Sequence, residues 1–202
     1  MRGAVSEAAK LCESLGHHLE EASPEINELA RGKALEVIIS AQTRLSLQRA
    51  EKVLGRELTT QDVETVTWAL SERARHFSAS DYAEAVNAVH RTGRVMGEFF
   101  TRYDLLLTPT MCTPPHRLGE VSMMRPDLEA YDHLVGGDSA FTSPFNTSGH
   151  PAMSVPLHWT ADGLPVGVQF AAPFGDEATL FRLAAQLEAA QPWADRRPTQ
   201  IR

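Results

Sequence analysis

Apolar residues at Val5, Ala8, Ala9, Leu11, Cys12 and Leu15 recur at helical spacing and Gly16 stands where a left-handed C-terminal cap is usual, so an amphipathic helix is expected over 5–15. His18 to Ala22 reads as an edge strand before a turn at Ser23-Pro24. Helical spacing resumes from Glu25 to about Val53, with a break expected near Arg31-Gly32, because an interior Gly costs roughly 1 kcal/mol relative to Ala. A further helix is expected from Thr60 to about His76. Ser80 or Asp81 then caps a helix whose stripe is Tyr82, Val86, Val89, Gly93, Met96 and Phe100.

Tyr103 to Pro109 is a short apolar run closed by proline, the pattern of a buried strand. Residues 110–145 carry one weakly helical patch, around Pro126 to Leu134, and otherwise read as a long ordered loop of the kind that binds ligands. The runs 152–159 and 164–171 flank Thr160-Ala161-Asp162-Gly163, and an Asp-Gly turn between β-rich runs signals a hairpin. Prolines inside both runs point to edge or bulged positions. Asp176 caps a last helix over 177–190. Helices with a few strands make the fold class α/β or α+β, and the pattern divides into a mainly helical stretch, 1–100, and a loop-rich one, 101–202.

Composition sharpens that division. Eleven of the twelve prolines fall between Pro109 and Pro198. With 202 residues and a net charge of −7, the chain has the balance of a globular protein, and both halves are mildly acidic, which disfavours nucleic acid as a partner. No run approaches the ~20 apolar residues of a membrane span, and no apolar signal core follows Met1. Cys12 and Cys112, far apart in sequence, are expected to be inert buried thiols in a reducing compartment, so a cytoplasmic location is expected.

Familiar catalytic patterns are absent: there is no G-x-S-x-G, S-x-x-K, H-E-x-x-H or G-x-x-x-x-G-K. Eight histidines are scattered without metal-ligand spacing, and no metal or cofactor is expected. Only three basic residues are lysines, Lys10, Lys33 and Lys52, each in a helical context. Tyr131-Asp132-His133 and Gly136-Gly137-Asp138 form a polar patch where Asp138 either contacts a ligand or bonds its own turn.

Two long segments carry a resemblance. Tyr103-Asp104-Leu105-Leu106-Leu107-Thr108-Pro109-Thr110, and Phe141-Thr142-Ser143-Pro144-Phe145-Asn146-Thr147-Ser148-Gly149-His150-Pro151 continuing into Gly163-Leu164-Pro165-Val166-Gly167-Val168-Gln169, resemble the C-terminal third of the amidase signature family. His76 to Tyr82, with Pro192 to Pro198, looks most like the branch of 6-aminohexanoate-cyclic-dimer hydrolases. The resemblance implies a partial amidase-signature fold, with mixed sheet strands packed against helices, and hydrolysis of C–N amide bonds. Family members use a serine nucleophile, a bridging serine and a lysine base, and backbone N–H groups hold the oxyanion.

All three residues precede the region resembled here. The resemblance therefore implies that residues 1–202 are the C-terminal part of one amidase domain, without the catalytic portion and inactive alone, with no catalytic residue to assign. It places Thr110, Phe141, Thr142 and Asn146 on the substrate wall, beside Asp138, while Asn146, Gly149 and Pro151 alternatively fix a chain reversal before a buried strand. Gln169 is expected to be a buried hydrogen-bonding group. The expected ligand is a small-molecule amide, bound once a catalytic portion completes the site. Leaving on the order of 1,000 Å² of apolar surface uncovered would forgo ~25 kcal/mol, more than a typical net stability, so self-association or a complementing chain is expected. The alternative is a non-catalytic ligand-binding or interaction module that retains the half-fold.

Overall fold

The computed structural model describes residues 1–197, so Pro198 lies outside the described residues. Two compact units are present: the first comprises residues 1–25, 93–115 and 138 onward, and the second 26–92 and 116–137.

The first unit is built on a three-stranded antiparallel sheet, β1 (Leu106–Pro109), β2 (Ala152–Trp159) and β3 (Pro165–Ala171), in the order β1-β3-β2. Val168 pairs with Pro109 on one side and Val155 on the other, and Phe170 with Leu107 and Met153. Because side chains alternate across a strand, Val155, Val168 and Phe170 share one face. That face is apolar and packs with Ala4, Ala8 and Cys12 of α1 (Arg2–Ser14) and Leu180, Leu183 and Leu187 of α7 (Glu177–Ala190). The small Ala4 and Ala8, one turn apart, are buried against this cluster. The opposite face carries Thr108, Ser154 and Gln169, aligned with one another in the register.

The prolines sit where sheets tolerate them: Pro109 ends β1, Pro165 opens β3, and Pro156 lies in the irregularity between Val155 and His158. The hairpin turn closes through the Thr160 N–H to the Leu164 carbonyl (2.9 Å), with Gly163 at φ +79°. Asp176 caps α7 as expected, accepting from the Thr179 N–H at 3.2 Å. The edge strand expected over 18–22 does not form: that stretch has no regular structure, and Glu20 engages the Tyr103 hydroxyl through its side chain.

The second unit is helical. α2 (Glu28–Leu54) begins where the Asn27 side chain accepts from the Ala30 N–H at 3.0 Å and ends at Gly55, which is left-handed at φ +68°. It runs without the expected break. Gly32 faces open space, Arg31 is buried and paired with Glu28, and the neighbouring Ala34 and Val37 are buried in a small cluster with Ala85 and Ala88. The next helix, α3, starts later than expected, at Thr65, and ends at Arg73 before a 3-10 turn over 74–76. Asp62 explains the delay: it accepts from the Thr59 N–H (2.8 Å) and hydroxyl (2.9 Å) and is clamped by Arg56 at 2.6 Å, a turn that diverts the chain.

α4 (Ala79–Phe99) is capped by Ser78 rather than by Ser80 or Asp81: Ser78 and Asp81 form a reciprocal box, N–H to carboxylate at 2.8 Å and N–H to hydroxyl at 3.1 Å. Of this helix, Ala85, Ala88 and Thr92 are buried within the second unit, with Tyr82, Val86 and Val89 half-buried beside them, while its end from Gly93 on, with buried Met96 and Phe99, belongs to the first unit. The 110–145 stretch is more ordered than a loop. Asp127 caps α5 (Leu128–Asp138) through the Ala130 N–H at 2.9 Å, and α6 (Ser143–Ser148) follows, ended by left-handed Gly149.

Candidate functional site

The polar face of the sheet forms the floor of an open depression of about 430 Å³, and the short helix α6 forms one wall. Pro144 near the start of α6 pre-sets its dihedrals, and Gly149 at φ +74° stops it, so the chain turns from Phe145 and Thr147, both buried, into β2. Thr110, Thr142 and Asn146 of the expected residues line this hollow together, with Ser154, Gln169 and His150.

Phe141 and Asp138 do not line the depression. The Phe141 carbonyl accepts from Gln169 Nε2 at 2.9 Å while the residue as a whole is about 40% exposed. Asp138 is buried, accepts from the Thr113 hydroxyl at 2.6 Å, and offers its backbone carbonyl to the Cys112 N–H at 3.1 Å. Those bonds hold 112–113 to the end of α5. Asp132, from the same polar patch, is paired with Arg73 at 2.9 Å within the second unit.

Gln169 is buried, as expected, and its amide ties two elements: Nε2 donates to the Thr108 hydroxyl (2.9 Å) and to the Phe141 carbonyl, fixing β1 and the approach to α6. Thr110 Oγ1 and Ser154 Oγ meet at 2.6 Å across β3, over Gly167. Ser154 was not among the expected residues; the sequence signal for it is Gly167, since a glycine inside a strand marks close approach by a neighbour.

No Asp, Glu, Lys or Arg lines the depression. Its titratable group is His150, buried, stacked on Phe100 (centroids 5.3 Å) and edge-on to Phe174. Burial pushes the His150 imidazole below its ordinary value near 6.5, with the Ser148 contact opposing this more weakly. The native state therefore resists protonation that the unfolded chain accepts. Stability attributable to this histidine is intact above pH 6.5 and is lost as pH falls from there through the lowered native value. Urea titrations at stepped pH are expected to show that loss, and His150→Gln is expected to flatten it.

A larger hollow, about 580 Å³, lies at the end of α2, lined by Arg49, Glu51, Lys52 and Arg56 among others. Two of its polar groups are engaged structurally: Glu51 accepts from the Leu58 N–H at 3.1 Å, and Arg56 holds Asp62. Both cysteines are free; Cys12 is buried with its thiol pushed up by that burial, whereas Cys112 is only half-buried. Among the described residues, no group of His, Cys, Asp or Glu is placed to hold a metal ion, and no helix is long and apolar enough to cross a membrane.

A family model described as Amidase matches residues 1–181. The 6-aminohexanoate-cyclic-dimer hydrolases of Pseudomonas sp. (strain NK87) and Paenarthrobacter ureafaciens are each 35% identical to this chain over 198 residues, which is 95% of this chain and 40% of theirs. A solved structure of 6-aminohexanoate cyclic dimer hydrolase complexed with substrate superposes at TM-score 0.87 with 33% identity, covering 98% of this chain and 42% of that one. The chain thus spans about two fifths of the length of the curated relatives it matches. The motifs around Thr108 and Asn146, the α/β architecture and these matches agree: the chain belongs to the amidase signature family and corresponds to its C-terminal portion.

Proposed function

We propose that this chain supplies the substrate-facing wall of a hydrolase of C–N amide bonds that acts on uncharged amides, and that alone it does not hydrolyse them. The observation that carries this reading is the charge-free depression on the polar sheet face, where Thr110, Thr142 and Asn146 converge. A desolvated carboxylate or ammonium there would lack a counter-charge, whereas a neutral amide is matched by hydroxyls and a carboxamide. Lys10, Lys33 and Lys52 stand exposed on α1 and α2, and none lines the depression. The family resemblance puts the serine nucleophile and lysine base ahead of the region matched here, and the exposure of these three lysines supports assigning both to another part of the amidase domain.

The occupant of the remaining space is then the complementing part of the same amidase domain or a second copy of this chain. Leu29 (86%), Val53 (87%), Phe174 (74%) and Phe181 (76%) stand exposed, consistent with such cover. Purified chain is expected to give neither turnover of neutral amides nor labelling by a serine-directed fluorophosphonate. Light scattering at micromolar concentration is expected to give a mass above the 22.2 kDa of one chain. Stoichiometric labelling would overturn the assignment of catalysis elsewhere. A stable monomer at that concentration, with neither turnover nor labelling, would favour the non-catalytic binding module instead.

A further inference from the structure

The hydroxyl pair on the polar sheet face has one proton more than it uses. Thr110 Oγ1 and Ser154 Oγ lie 2.6 Å apart, so one donates to the other, and no other described group partners either hydroxyl. Ser154 is the more exposed of the two, Thr110 being half-buried. With the Thr110 O–H turned onto Ser154 Oγ, the Ser154 O–H is left to point outward. A hydroxyl that accepts one hydrogen bond becomes the stronger donor in the next.

The backbone makes this arrangement specific. Thr110 and Ser154 come from opposite sides of the central strand and can meet only above Gly167, where an added Cβ would fall 2.5 Å from Ser154 Oγ and 2.8 Å from Thr110 Oγ1. The Thr110 N–H in turn donates to the Gly167 carbonyl at 3.2 Å, fixing Thr110 beyond the end of β1. Both hydroxyls open into the depression that Asn146 and Thr142 also line.

We propose that Ser154 donates a hydrogen bond to the carbonyl oxygen of a neutral amide bound in this depression, with Thr110 as its positioning residue and Gly167 as the opening that lets the two meet. This rests on the substrate-wall reading above and adds to it the atom that reads the ligand. A carboxylate is disfavoured because the lining offers it no cation.

The test uses the full chain in backbone-amide NMR titrations with ε-caprolactam as the neutral amide and hexanoate as the charged comparator. ε-Caprolactam is expected to shift Ser154 and Gly167 together with Thr142 and Asn146, and hexanoate to shift them much less. Ser154→Ala is expected to weaken caprolactam binding about three- to tenfold, the usual range for one neutral hydrogen bond. Thr110→Val is expected to weaken it less, Thr110→Ser to restore wild-type binding, and Thr110→Val in the Ser154→Ala background to add nothing. A purely structural role for Thr110 would instead give additive losses. Shifts at Thr142 and Asn146 with Ser154→Ala binding as wild type would overturn the donor assignment while leaving the wall intact. Absence of any shift in the depression at tens of millimolar ligand would overturn both.

Discussion

Replacing Phe170 by Ala is expected to destabilise the chain by about 3–5 kcal/mol, the cost of emptying a buried aromatic site. Phe170 is 2% exposed on the central strand, with Leu107 and Met153 as its Cα partners on the two flanking strands, and it belongs to the cluster that both α1 and α7 cover. No single rearrangement can refill that volume, because backbone hydrogen bonds hold the strands on both sides. Since domains of this size have net stabilities of only ~5–15 kcal/mol, the variant is expected to unfold at markedly lower urea or to accumulate as insoluble protein. Leu118→Ala, which truncates an apolar side chain at a fully exposed position, serves as the control and is expected to change stability by less than about 0.5 kcal/mol. Urea unfolding followed by far-UV circular dichroism measures both. A loss below about 1 kcal/mol at Phe170 would show that the sheet's apolar face is not the core.

What could be read from the sequence was what local chemistry determines. Asp176 and Thr179 satisfy each other three residues apart, by N–H at 3.2 Å and hydroxyl at 2.6 Å, so the last helix starts where the sequence places it. The 152–171 hairpin was equally legible, because its turn residues and alternating runs lie side by side. Propensity misled at Gly32: one glycine does not break a helix whose next turns are buried through Ala34 and Val37. Helical period failed for α6, since six residues make less than two turns. Capping at Ser78 was shifted by two residues because Ser78, Ser80 and Asp81 all suit a helix start and only the reciprocal bonds select among them.

The site follows the same division. Thr110, Thr142 and Asn146 were reached through motif resemblance and do meet in one depression. Ser154, 44 positions from its partner Thr110, has no local signature, because its role exists only after β1 and β2 flank β3. Asp138 has a local signal that leaves its surroundings open. An acidic residue after two glycines resembles a ligand contact, yet the fold buries it and gives it Thr113.

Gly167→Ala is the second large effect, and its sign is informative. In a strand interior, Ala is ordinarily better than Gly by roughly 0.5–1 kcal/mol, because glycine loses more backbone freedom on folding. At this position the added Cβ would meet Ser154 Oγ at 2.5 Å, Thr110 Oγ1 at 2.8 Å and Thr110 Cβ at 3.2 Å. Turning Ser154 away relieves the shortest contact but breaks the hydroxyl pair, and the approach to Thr110 remains because the Thr110 N–H is bonded to the Gly167 carbonyl. The expected net result is a loss of about 1–3 kcal/mol, the range for overpacking. In the Ser154→Ala background the same substitution is expected to cost less, with a coupling of at least about 0.5 kcal/mol, as for residues in direct contact. Thermal or urea unfolding of the four proteins of that cycle supplies the coupling. If Gly167→Ala were neutral or stabilising in the wild-type background, the two edge-strand hydroxyls would not be held together over the central strand, and the pair would lose the geometry on which its directional donor depends.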